Sequence, residues 1–252
     1  MSEPPGKSAV ASARGEPDMS LGSTPEPPKA LAMILTALDW VYERAVSGVP
    51  GIDSAFDSAH SASRGGARAG DDAVDALIRR HIMEAGTAGF LANVGGILTL
   101  PISLPANLGS VLFIQLRMIA GIAHLRGYDV HSHQVKALAM ACLAGSAALD
   151  VLKNAGITLG TSLTHRAIAH ISTAALARVN RAIGIFLVSK AGTAGAVSLS
   201  KIVPLVGGAV GGTIDGLATK AIAVAAKKIF RPVGAPVEMS RNLAQPLPLA
   251  KQ

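Results

Sequence analysis

At 252 residues the chain holds one large domain or two small ones, and its single cysteine excludes a disulfide-stapled fold. Half the residues are hydrophobic but only 3% are aromatic. A core of Ala, Leu, Ile and Val suits closely packed helices and lacks the alternating aromatic and β-branched pattern of a sandwich. The net charge of +7 points to an anionic partner.

Residues 1–28, rich in Pro, Ser, Gly and Glu, cannot bury enough apolar surface to order themselves and are expected to form a disordered tail. They also lack the apolar stretch of a secretory leader. A first amphipathic helix follows, with Leu31, Ile34, Leu35, Leu38, Val41, Tyr42 and Ala45 at helical spacing until SGVPG stops it. A short helix is expected near 52–59, and then one capped by Asp71 or Asp72 that carries Val74, Leu77, Ile78 and Ile82. No charged residue occurs over 87–116, where Pro101 and Pro105 predict two helices, the second ending at Gly127. Further helices are predicted over 132–154, capped by Ser132, and over 162–190. Pro204 then separates a short helix from a long one, and Pro232 and Pro236 open a second disordered tail over 232–252. AGTAG occurs at 85–89 and again at 191–195, a weak sign of duplication in an Ala- and Gly-rich chain.

Charge is unevenly placed. Between Asp150 and Asp215 there is no acid, but there are Lys153, Arg166, Arg178, Arg181, Lys190 and Lys201. On a continuous helix over 162–190, Arg166, His170, Arg178 and Arg181 share an arc of about 120°, opposite Ile168, Ile171, Ala175, Val179, Ile183 and Phe186. Such a helix can lie on an anionic membrane; it equally fits a bundle helix with one wet face. Lys227, Lys228 and Arg231 suit a helix C-terminus and also contact with anionic lipid. Nucleic acid is not expected as a partner: there is no recognition motif, and few aromatics for base stacking.

Chemistry is sparse. There is no G-x-S-x-G, H-E-x-x-H, G-x-x-x-x-G-K-[ST] or C-x-x-C. His124, Asp129, His131 and His133 form the best metal candidate, but polar residues at a helix turn are ordinary. His165 and His170 do not share a face, and Cys142 sits in an apolar run with nothing to activate it. No catalytic residue, metal or cofactor is therefore expected. In PLVGGAVGGTIDGLATK (204–220) no strand precedes the glycines and no G-K-[ST] closes them, which argues against a phosphate loop. Gly207/Gly211 and Gly208/Gly212 instead make two G-x-x-x-G pairs for close helix packing, with Gly86, Gly89, Gly95 or Gly96 as the expected opposite surface.

The segment AGTAGFLANVGGILTLPISLPANLGSVLFIQLRMIAGIAHLRGYDV (85–130), followed by IVPLVGGAVGGTIDGLATKAIAVAAKKIF (202–230), resembles the EcsC family of bacterial proteins. The likeness lies in a Gly-rich helix, a proline turn, an Arg-containing helix, a closing GYD, and a P-x-x-G-G segment leading into an alanine-rich helix. It covers about 30–231. Members often carry an acidic residue in the proline turn, where this chain has Ser103. The resemblance implies a helical, membrane-linked protein and supplies no catalytic residues.

A membrane-spanning helix needs about 20 apolar residues. Pro101 divides the uncharged run, and Asn107, Gln115, Arg117 and His124 follow. An interfacial or re-entrant mode and a plain soluble core both fit better than a span. The expected protein is all-α, with seven or eight helices in one domain over 29–231 and two Gly-rich, proline-broken hairpins at its centre. The expected role is that of an accessory or scaffold at the inner membrane, meeting an anionic membrane surface or a membrane protein. The alternatives are a soluble carrier or enzyme holding an apolar ligand in a Gly-lined pocket, and a pore former.

Overall fold

The computed structural model describes residues 27–64, 70–86, 106–158, 165–198 and 204–232. These hold nine α-helices and one 3-10 turn, with no strand among them. α1 (Pro27–Ser47) ends where Gly48 takes φ +83° and donates its N–H to the Arg44 carbonyl. α2 (Ala55–Arg64) opens with a reciprocal cap: the Ser54 hydroxyl accepts from the Asp57 N–H, and the Asp57 carboxylate accepts from the Ser54 N–H. Asp71 and Asp72 occupy the first turn of α3 (Asp71–Gly86), where their charge suits the helix dipole.

α4 (Ala106–Leu125) is the hub. Its residues 112–120 are all buried, and α1, α2, α3, α5 and the last helix pack around it. It begins directly after Pro105 and gives way to Gly127 at φ +81°, as expected from the sequence. Ser132 caps α5 (His133–Cys142), its hydroxyl accepting from the Val135 N–H.

Two predicted helices are each divided. The helix expected over 132–154 breaks into α5, a 3-10 turn (Gly145–Ala147) and α6 (Ala148–Asn154). Gly145 takes φ +59° at the break, where Ala221 of the last helix packs against it. The helix expected over 162–190 becomes α7 (His165–Ala169) and α8 (Thr173–Ser198). Ser172 makes the second break, its hydroxyl capping the Ala175 N–H. α8 then continues to Ser198, past the expected end at 190 and through the second AGTAG. α9 (Pro204–Ile229) starts at the predicted proline. These two divisions raise the helix number above the seven or eight expected.

Side-chain contacts set the relative directions of α3, α4 and α9. Arg117 of α4 meets His81 and Glu84 of α3, and Arg126 meets Asp71, so these helices are antiparallel. Gln115 meets Thr219, and Tyr128 meets Phe230, so α4 and α9 are parallel. Gly216 lies over Ile82 and Lys227 binds Asp75, so α3 and α9 are antiparallel. Gly86, Ala106 and Pro204 therefore stand at one end of the bundle.

Candidate functional site

Close to that end lies the most highly charged part of the interior. Arg117 is 1% exposed. Its Nε donates to His81 Nε2 at 3.1 Å, one Nη to the Asp53 carbonyl at 3.1 Å, and the other Nη to the Glu84 carboxylate. Its guanidinium also lies 5.6 Å from the Phe113 ring centroid. Arg80 closes the circuit, donating to Glu84 at 3.0 Å and to the Asp53 carboxylate at 2.8 Å. Three parts of the chain thus converge: the turn before α2, the last turns of α3, and mid-α4.

The protonation states follow from the partners. His81 is fully buried beside a cation, and burial first and Arg117 second bring its pKa down from 6.5 to about 4. The imidazole is then neutral, its Nδ1–H donating to the Leu77 carbonyl at 2.9 Å and its Nε2 accepting from Arg117. Burial also lowers the Arg117 pKa, with the Glu84 carboxylate opposing it. The hydrogen bond that Arg80 donates to the Asp53 carboxylate raises its own pKa. A charge this deep survives only with paired, hydrogen-bonded partners, and here each donor finds one.

This collar marks a boundary. From Arg117 toward Ala106, α4 carries no charge; from Asp215 toward Pro204, neither does α9; and residues 87–105 are uncharged in sequence. Residues 106–116 and 204–214 each rise about 16 Å as helix. Met83 and Leu217, 65% and 68% exposed, stand on neighbouring helices at the level of the collar. The first charge on α9 is Asp215, one turn before the buried Thr219.

The predicted residues are distributed differently from the expectation. Gly207, Gly208, Gly211 and Gly212 lie within α9, in phase with buried residues such as Ala225, Ala226, Ile229 and Phe230. Gly86 is the exposed last residue of α3, and Gly89, Gly95 and Gly96 lie outside the described residues. Two other glycines admit close neighbours. A Cβ on Gly121 would come within 2.8 Å of Leu77, and one on Gly184 would meet Leu31 and Leu35 of α1. Neither stands out in sequence, since each is a lone glycine within a helix.

The basic arc does not lie on one helix. Arg166 is in α7 and His170 in the turn after it, whereas Arg178 and Arg181 belong to α8. Arg178 bonds the Ala155 carbonyl at 3.0 Å, and Lys227 is paired with Asp75 at 2.7 Å. Lys228 and Arg231 are exposed, and the Arg231 carbonyl accepts from the Tyr128 hydroxyl at 2.8 Å. Lys228 and Arg231 lie at the end of α9 remote from Pro204.

The histidine cluster serves packing and turn formation. His124 and His131 flank the Phe56 ring at 4.8 and 5.9 Å between centroids, and the Asp129 carboxylate accepts from the His131 N–H. Among the described residues no three His, Cys, Asp or Glu are placed to hold a metal ion. Cys142 is buried, donates to the Leu138 carbonyl, and has its thiol pKa pushed up by burial, away from a reactive thiolate. The clefts around Tyr128 and Ile168 (about 290 Å³) and around Trp40 and Glu43 (about 440 Å³) are not lined by the Gly-rich segments. No helix among the described residues is long and apolar enough to cross a membrane.

Among the described residues, fold and interior define an all-α bundle with a charged collar below the uncharged first turns of α4 and α9. The EcsC protein family model matches residues 29–232, and the chain belongs to that family. No curated protein and no solved structure matches it.

Proposed function

We propose that this EcsC family member is a membrane-associated accessory or scaffold protein that seats its uncharged end in one leaflet of a bilayer, at the inner face of a bacterial cytoplasmic membrane. The observation that carries this reading is the alignment of three helix ends beyond the collar. Half of a hydrocarbon core of about 30 Å is about 15 Å. The uncharged ends of α4 and α9 rise about 16 Å, so they match one leaflet and fall short of two. Exposed Met83 and Leu217 meet the lipid at the rim, and the collar charges stay at headgroup depth.

Flotation with neutral phosphatidylcholine vesicles tests this. The protein is expected to float with the vesicles, and a Met83→Glu/Leu217→Glu variant is expected to stay behind while keeping its helical circular dichroism. A wild-type protein that stays at the bottom of the gradient with every vesicle composition at low salt ends this reading.

A further inference from the structure

The outer faces of α3 and α9 present a pattern that the collar does not use. The register set by Gly216 over Ile82 and by Lys227 on Asp75 brings Lys220 level with Arg79 and Leu217 level with Met83. Arg79 and Met83 are one turn apart on α3, and Leu217 and Lys220 are three residues apart on α9, so each helix shows its cation and its apolar residue on one face. All four side chains are exposed. Seen from the far end of the bundle, the helical phases of both pairs turn to the same side of the α3–α9 seam.

Arg79 and Lys220 also differ from the other basic residues nearby. Arg80 is held by Asp53 and Glu84, Arg117 by Glu84, Arg126 by Asp71, and Lys227 by Asp75. Neither Arg79 nor Lys220 has a hydrogen bond or ion pair with another described residue. The nearest acids on that face, Asp72 and Asp75, lie toward the far end, and Asp75 is occupied by Lys227.

We propose that Arg79 and Lys220 together bind the phosphate of an anionic phospholipid, with Met83 and Leu217 entering the acyl region directly beneath it. The proposal rests on the membrane reading above and adds lipid selectivity to it. Two cations level with each other, each one turn above an exposed apolar side chain, fit a headgroup at the depth where phosphate meets hydrocarbon. The guanidinium takes phosphate oxygens as a fork and the ammonium as a point charge.

The test is flotation and partition with phosphatidylcholine vesicles and with vesicles containing phosphatidylglycerol. Each cation near an anionic surface favours binding about fivefold, so the pair is expected to give about a 25-fold preference that declines with salt. Arg79→Gln/Lys220→Gln is expected to abolish the preference and leave binding to neutral vesicles intact, while His170→Gln/Arg181→Gln keeps it. A wild-type protein that binds both vesicles equally overturns the proposal and leaves the membrane reading standing. So does a preference that survives in Arg79→Gln/Lys220→Gln or that disappears in His170→Gln/Arg181→Gln. Binding to neither vesicle overturns both.

Discussion

A guanidinium as deeply buried as that of Arg117 has to carry its counter-charge with it, and Glu84 supplies that charge while His81 and the Asp53 carbonyl take up its other donors. None of this is legible in the sequence, where Arg117 reads as an awkward polar residue near an apolar run. Its partners lie 33 to 64 positions away, beyond any helical period. The neutral state of His81 has a measurable consequence. Unfolded, the imidazole takes a proton near pH 6.5; folded, it does so only near 4. Throughout that window the unfolded chain binds the extra proton, so the His81 contribution is complete above 6.5 and is lost as pH falls toward 4. The gap corresponds to about 3 kcal/mol. Urea unfolding across this range is expected to show wild-type stability falling more steeply with acid than that of His81→Gln, whose amide oxygen still accepts from Arg117. Parallel pH profiles for the two proteins refute this account.

At the scale of the element, prolines and glycines in the sequence locate most boundaries: Pro105 and Gly127 around α4, Ser132 before α5, Pro204 at the start of α9. Sequence periodicity runs straight through the break between α7 and α8, because Ile168, Ile171 and Ala175 keep a helical spacing across a turn. The hydroxyl of Ser172 decides the matter by satisfying the first free N–H groups of α8. That break divides the expected basic arc, with Arg166 in α7, His170 in the turn after it, and Arg178 and Arg181 in α8. The glycines of α9 make the complementary case. On an ideal helix Gly208 repeats the phase of the buried Thr219, Ala226 and Phe230, and Thr213 does not. In an open helix, glycine to alanine raises stability by about 1 kcal/mol. Where another helix approaches closely, the added methyl lowers it. Gly208→Ala is therefore expected to destabilise the protein in thermal unfolding and Thr213→Ala to leave it little changed; a more stable Gly208→Ala would mean that nothing packs there.

Across the whole molecule, polarity is arranged along α4 and α9. Tyr128 stacks edge-on with Phe230 at the far end, Gln115 meets Thr219 midway, and α4 carries no charge from Arg117 to Ala106. End-on seating in a leaflet separates Leu217 from Lys228 by about 16 Å along α9. An environment-sensitive dye on Leu217→Cys is expected to shift to the blue on adding vesicles, and the same dye on Lys228→Cys is not; Cys142, being buried, stays unlabelled. Equal shifts at the two positions would show α9 lying flat on the surface. The all-α class is legible in composition and spacing. The collar and the levels of Arg79 and Lys220 depend on how α3 and α9 are staggered, and helix periodicity does not specify stagger.

The hydroxyl of Tyr128 on the Arg231 carbonyl fastens the chain at the end of the bundle opposite Pro204. Ile229, the last residue of α9, stands about 18 Å from the level of Leu217, on the side that the proposed end-on seating turns away from the lipid. With that seating, Lys228 and Arg231 belong to the watery side, and this is also the face from which a second protein could take hold of the bundle without entering the bilayer.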